Sequence, residues 1–203
     1  MVVGGWSLVI DRQDYGMAKS ILIVTGDGGE SYETWFAVHR FREAGYVTRV
    51  AAPSKKRLHL VMHDFEPGWD TYKESPGYAM ESDLTFKDVV VEDYDAIVLI
   101  GGRAPEYLRN DARLIGIIQE FDRQGKWLFS ICHGVQLLAA AGLLKGKKVT
   151  CYEHVRNEVE TVGATWVACD AMREGRIVSA PTWQEHPAFY REIFACLQAP
   201  VPV

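Results

Sequence analysis

The chain has 203 residues, 48% of them apolar and 24% charged, which suits one α/β domain with a full core. A formal charge of −5, with no basic cluster beyond Lys55-Lys56-Arg57 or the stretch 145–148, argues against nucleic acid as a partner. No apolar run is long enough to span a membrane. The four cysteines, Cys132, Cys151, Cys169 and Cys196, show neither a CxxC pair nor a metal-type cadence, so the expectation is a reducing, cytoplasmic setting with no metal and no cofactor.

Residues 1–16 lack a basic start, and Asp11 and Asp14 interrupt their short apolar patches, so they do not read as a signal peptide. They are set apart as an N-terminal extension of unknown role, and 17–199 is expected to form a single domain. Residues 21–24 predict a first buried strand. The loop Gly26-Asp27-Gly28-Gly29-Glu30 leads into an amphipathic helix over 32–44, closed by Gly45. A second strand over 47–52 stops at Pro53. The section 54–87 is irregular, with alternating residues near 58–62 that suggest a hairpin or edge strands.

Residues 96–100 form a continuous apolar run typical of a central parallel strand, and it ends in Gly101-Gly102. A helix is expected over 112–124, closed by Gly125, followed by a strand over 127–131 and a small-residue helix over 135–142. Later strands are expected at 148–151, 165–167 and 177–180, and a terminal helix at 186–197. Alternation of this kind predicts an α/β, flavodoxin-like three-layer sandwich: a mostly parallel sheet with helices on both faces. Ligands of such folds sit at the carboxyl ends of the strands. Three of those ends carry Thr25-Gly26-Asp27, Gly101-Gly102 and Cys132-His133-Gly134.

Cys132 stands between a buried strand and a helix, which is the geometry of a nucleophile elbow. The helix N-terminus behind it supplies free N–H groups and positive dipole, both of which favour thiolate. The remaining three cysteines read as packing thiols. His133 follows directly, so its side chain leaves the turn in a different direction from the sulfur and reaches its neighbour only if the turn is distorted.

Gly-Gly-Arg-Ala-Pro-Glu at 101–106 and Ile-Cys-His-Gly at 131–134, with Cys132 placed 26 residues beyond Glu106, resemble the ThiJ/PfpI superfamily over roughly 19–197. That superfamily includes PfpI-type intracellular proteases, glyoxalase III enzymes and the parkinsonism-associated protein deglycase. The resemblance implies that Cys132 is the nucleophile and Glu33 the acid bonded to its sulfur. It implies an oxyanion hole from the N–H groups of Gly102 and His133, and a Cys-His-Glu arrangement completed by Glu106 of an adjoining subunit. Trp183 and His186 fall where relatives complete the pocket rim, although His186 equally suits a cap of the last helix. Glu30 is read as a complement to the helix dipole, and His63-Asp64 as structural. The glutamine-amidotransferase relatives fit poorly, because Ser130 replaces their first elbow glycine and Glu185-His186 reverses their His-x-Glu order.

Three functions follow as expectations. The first is a cofactor-independent glyoxalase III or related deglycase, converting methylglyoxal or glyoxal to 2-hydroxy acids. The alternative is a PfpI-type cysteine peptidase or amidase, and the third is a redox-sensing stress protein. The partners expected are a small reactive carbonyl or a peptide as substrate, and further copies of the chain in a dimer or hexamer.

Overall fold

The computed structural model describes residues 19–198, so the 1–16 extension set apart above lies outside the described residues. The apolar runs form strands β1 (Ser20–Val24), β2 (Val47–Ala52), β3 (Leu84–Thr85), β4 (Ala96–Leu99), β5 (Trp127–Ile131), β6 (Met172–Glu174) and β7 (Ile177–Ala180). They make one sheet in the order β6-β7-β5-β4-β1-β2-β3, parallel throughout except for β6 against β7. Every residue of β4 is fully buried, which explains the unbroken apolar run, because helices deny both faces of a central parallel strand to water.

The helices are α1 (Ser31–Glu43), α2 (Ala104–Leu108), α3 (Ala112–Arg123), α4 (Val135–Ala140), α5 (Arg156–Thr161) and α6 (His186–Gln198). Asp111 caps α3 by accepting the N–H groups of Arg113 and Leu114 at 2.9 and 3.1 Å. Helices α1, α3, α4 and α6 pack on the sheet, giving the expected flavodoxin-like layers. The register sets Val24 beside Leu99, Leu99 beside Ser130 and Ile131 beside Ala180, so the loops after these strands open at one edge.

The structure departs from the predicted elements in four places. The section 54–87 is more ordered than expected: Val61–Asp64 pairs antiparallel with Lys73–Pro76, Arg57–Leu58 pairs with Met80–Glu81, and β3 joins the main sheet. The strands expected at 148–151 and 165–167 shrink to Lys148–Val149 and Thr165–Trp166, which pair with each other outside the main sheet. The Thr150 N–H is drawn to the Ser179 hydroxyl at 3.0 Å, which takes the chain out of the ladder. The short helices α2 and α5 and the antiparallel edge β6 are additions. The helix after the elbow begins with a tight turn over Cys132–Gly134 and ends at Ala140. Among the described residues no helix is long and apolar enough to cross a membrane.

Candidate active site

The site is built where the ends of β1, β4 and β5 converge. After β1 the chain bends through 25–30, and Glu30 caps α1 by accepting the Glu33 N–H at 2.5 Å. This brings Glu33, one turn along, beneath the β4 end. There one carboxyl oxygen accepts the Gly101 N–H at 2.8 Å. Gly102 follows with a φ of 73°, and a Cβ on it would lie 2.4 Å from the Glu30 nitrogen and from the Gly28 oxygen. A glycine there lets the two loops cross.

The elbow is strained. Cys132 has a φ of 57° and is the one non-glycine with positive φ among the described residues. Two positions on, a Cβ at Gly134 would sit 2.1 Å from the Leu99 carbonyl oxygen, so the turn closes only over glycine. The left-handed bend also swings the next side chain round. The His133 Nδ1 lies 3.2 Å from the Cys132 sulfur, the contact expected only from a distorted turn. The distortion exists, and it is the positive φ of Cys132 that supplies it.

Cys132 is 4% exposed, and the backbone N–H groups of His133 and Gly102 both point at its sulfur. The second oxygen of Glu33, Oε1, is buried without a hydrogen-bond partner, and the Cys132 side chain lies beside the carboxyl group. Burial, with the charge of Glu33 beside it, pushes the Cys132 thiol well above the ordinary thiol range, and the two N–H groups only partly offset this. The elbow therefore does not hold a free thiolate by itself, contrary to the expectation from the helix dipole. Desolvation in the closed cage outweighs the dipole of a six-residue helix.

The surrounding groups are tuned by burial as well. Glu33 is driven well above the usual carboxyl range by burial and by Glu30. Glu30, also 1% exposed, is pushed up to about 7 by burial against the N–H groups of Glu33, His63 and Tyr32. His133 is pushed down to about 4 by burial, assisted by His63 and His154, and is a neutral imidazole at neutral pH.

The structure brings Cys132, Glu33, His133 and Gly102 together. Glu106 lies exposed on α2 and makes no side-chain hydrogen bond or ion pair among the described residues. Its neighbours Arg103 and Arg109 are engaged instead by Glu74 and Glu158. Trp183 is half-buried, donates its indole N–H to the His63 carbonyl at 2.8 Å, and lines a cavity of about 1060 Å³ with Glu30, Tyr32, Phe36, Met62 and Tyr78. His186 lies behind that lining, 2% exposed, with its ring stacked on Phe36 at 4.4 Å.

Sequence reasoning missed the aromatic wall around His133. Tyr152, Tyr72 and His63 place their rings 5.3, 5.9 and 6.4 Å from its ring, and Tyr72 stacks on His63 at 3.7 Å. The His63 Nε2 lies 3.0 Å from Glu74, which also accepts from Arg103 at 2.6 Å. His63-Asp64 was read from the sequence as structural, nothing there linked it to Cys132, and no signal marked Tyr152. Among the described residues no three His, Cys, Asp or Glu side chains converge as a metal site would need.

Comparison with known proteins finds relatives over the whole described domain. The DJ-1/PfpI family model matches residues 19–196. Protein DJ-1 homolog D of Arabidopsis thaliana is 39% identical over 189 residues, covering 90% of this chain and 48% of that protein, so the chain spans about half of that relative's length. A deglycase of Thermococcus kodakarensis is 35% identical over 178 residues, 88% of this chain and 99% of its own. Among solved structures, a ThiJ/PfpI domain protein from Brachyspira murdochii superposes with a TM-score of 0.77 at 24% identity, over 90% of this chain and 98% of that one, a likeness of fold. Matched by the family model from β1 to the last turns of α6, and aligned with nearly the full length of an archaeal relative, the chain belongs to the DJ-1/PfpI family.

Proposed function

We propose that this chain is a cofactor-independent enzyme of the glyoxalase III or deglycase kind, acting on small reactive carbonyls through Cys132. The observation that carries this reading is the enclosed sulfur, which faces one buried acid, Glu33, and two backbone N–H groups, those of Gly102 and His133. An aldehyde carbon attacked there places its oxygen where N–H donors stabilise the developing charge, by about 2–4 kcal/mol for one good donor. Relatives carrying the name deglycase support an enzyme of this kind.

In the reaction, the Cys132 thiol passes its proton to the neutral His133 imidazole as the sulfur bonds to the aldehyde carbon of methylglyoxal, and Glu33 gives its proton to the former aldehyde oxygen, forming a hemithioacetal. Glu33, now a carboxylate, removes the proton on that carbon. The electron pair moves through an enediol, and the neighbouring carbonyl carbon regains a proton. The first carbon is thereby oxidised to a thioester and the second reduced to an alcohol. Water then cleaves the thioester to lactate, His133 returns its proton to the departing sulfur, and the proton released by the new carboxylic acid restores Glu33. The net change is addition of one water, with no external oxidant or reductant. In the deglycase variant the same attack falls on a carbon already joined to an amine. The test is lactate formation from methylglyoxal by wild type and Cys132→Ala. Turnover abolished in the variant is expected, and undiminished turnover would refute the reading.

A second reading, a PfpI-type cysteine peptidase or amidase, is favoured by the 3.2 Å contact between His133 and the sulfur. A neutral imidazole there accepts the thiol proton and returns it to a leaving amine. In this reading Glu106, exposed and unengaged, serves the site of an adjoining copy in a dimer or hexamer. Cys132-dependent cleavage of a fluorogenic peptide that is lost in His133→Ala and in Glu106→Gln would establish it. Cleavage that persists in His133→Ala would remove it.

A further inference from the structure

Two tyrosines stand beside His133, and the reaction above uses neither. Tyr152 is 5% exposed, and its hydroxyl is taken by the Thr71 hydroxyl at 2.8 Å. Tyr72 is half-buried, and among the described residues its hydroxyl makes no hydrogen bond. A packed tyrosine ordinarily finds a partner for its O–H, so an unengaged hydroxyl on the wall of a site is a donor open to a ligand.

The ring that carries this hydroxyl is fixed on several sides. It stacks on His63 at 3.7 Å and 13°, meets Tyr152 at 5.5 Å, and stands edge-on to His133 at 5.9 Å and 79°. His63 is itself anchored, its Nε2 lying 3.0 Å from Glu74 and its carbonyl accepting the Trp183 indole N–H. The residues on either side of Tyr72 are tied down as well, Thr71 to Tyr152 and Lys73 opposite Asp64 in the hairpin ladder. The imidazole that Tyr72 meets edge-on holds its Nδ1 3.2 Å from the Cys132 sulfur, so phenol and sulfur border the same ring. Burial, with Cys132 foremost among the surrounding charges, pushes Tyr72 up to about 12, and it stays a phenol across the neutral range.

We propose that the Tyr72 hydroxyl is a specificity-determining donor that binds the second carbonyl oxygen of the substrate, on the carbon next to the one Cys132 attacks, and so selects 2-oxoaldehydes over simple aldehydes. The N–H groups of Gly102 and His133 point at the sulfur and serve the first oxygen, which leaves the second to a donor from the wall. As the electron pair passes through the enediol, charge builds on that second oxygen, and a donor there acts most strongly at that stage. Tyr72 keeps its proton, and no bond is made or broken at it. An aldehyde without the second carbonyl leaves the hydroxyl unpaired.

The proposal rests on the proposed function for the identity of the substrate, so the test reads the donor in a second way. Tyr72→Phe keeps the ring on His63 and removes only the hydroxyl, with Tm as a control of folding. Iodoacetamide alkylates Cys132 and leaves a carbonyl next to the carbon bonded to sulfur, the spacing of the methylglyoxal adduct. Methyl methanethiosulfonate puts a methylthio group on the same sulfur and brings no carbonyl. Both rates are read on the Cys132 peptide by mass spectrometry, with Cys132→Ala as the blank. Tyr72→Phe is expected to slow iodoacetamide about tenfold and to leave the methanethiosulfonate rate and Tm unchanged. With methylglyoxal it is expected to lower kcat more than it raises KM. Equal slowing of both reagents, or a ratio of the two rates that does not move, would overturn the proposal even where lactate is formed. A ratio that depends on Tyr72 in a chain that makes no lactate would overturn the proposed function and leave the Tyr72 donor standing.

Discussion

Beneath Cys132, β1 from Ile21 to Val24 and the whole of β4 contribute side chains that are fully buried and apolar, whereas the hairpin beside it carries His63, Asp64, Lys73 and Glu74. The strand ends are held by backbone packing. Gly102 and Gly134 stand where a single added carbon would strike main-chain atoms. The hairpin meets the floor through one backbone bridge, the Val61 N–H on the Gly29 carbonyl at 2.9 Å, and is otherwise held by side-chain contacts: the Trp183 indole on the His63 carbonyl, His63 and Arg103 on Glu74, and Thr71 with Tyr152 at 2.8 Å. A floor of packed backbone tolerates almost no change in shape. A wall of single polar contacts, each worth about 1 kcal/mol, tolerates the loss of any one. The nucleophile belongs to the floor, and the aromatic rings that surround its histidine belong to the wall.

The sharpest way to break this comparison is Gly134→Ala. The added carbon meets the Leu99 carbonyl at 2.1 Å, and the elbow cannot yield without moving β4. A loss of about 3 kcal/mol is expected in denaturant unfolding, at the upper end for overpacking. An unchanged midpoint would mean that the floor is as adaptable as the wall.

The boundary between the two regions is probed by His186→Phe. His186 is buried against Phe36 with both ring nitrogens unpartnered, so a ring without polar atoms should stabilise the fold by about 1–2 kcal/mol at neutral pH. The gain should grow in acid. The folded histidine is held at about 4, below its ordinary 6.5, so its stabilising contribution is complete above 6.5 and is lost as pH falls towards 4. His133 acts in the same direction. Glu30 opposes both: raised from 4.5 to about 7, its contribution is complete below 4.5 and is lost as pH rises to 7. Stability profiles should therefore be shallow for wild type between 4.5 and 6.5, and should rise more steeply with pH in Glu30→Gln. A profile unaltered by either substitution would contradict the burial of these groups.

Smaller effects belong to the wall. Trp183→Phe removes the donor to the His63 carbonyl and should cost about 1 kcal/mol in unfolding experiments. Arg103→Gln should cost less still, below about 1 kcal/mol and decreasing with added salt, because the ion pair with Glu74 is 50% and 30% exposed. A loss from Arg103→Gln as large as that from Gly134→Ala would erase the distinction between the two regions.

Much of this was legible in the residues alone. Continuous apolar runs at 21–24, 96–100 and 127–129 read as central strands of a covered sheet, and the right-handed connections between them set three loops at one edge. That places Gly102 and Cys132 side by side before any coordinates are seen. The family resemblance added Glu33 to the pair. The alternation near 58–62 suggested the hairpin, but its place beside the site was not legible, because its partners, Trp183 and Tyr152, lie 120 and 81 positions from His63 and Thr71.

Local pattern determined the central strands, the first and last helices, and the place of the reactive cysteine, since those depend on runs of neighbouring residues. Tertiary structure alone decided how that cysteine behaves. The positive φ of Cys132 turned His133 onto the sulfur, and burial raised the thiol that the helix dipole was expected to lower. Backbone strain and desolvation are properties of the closed cage. They arise from groups brought together across the chain, and no stretch of sequence contains them.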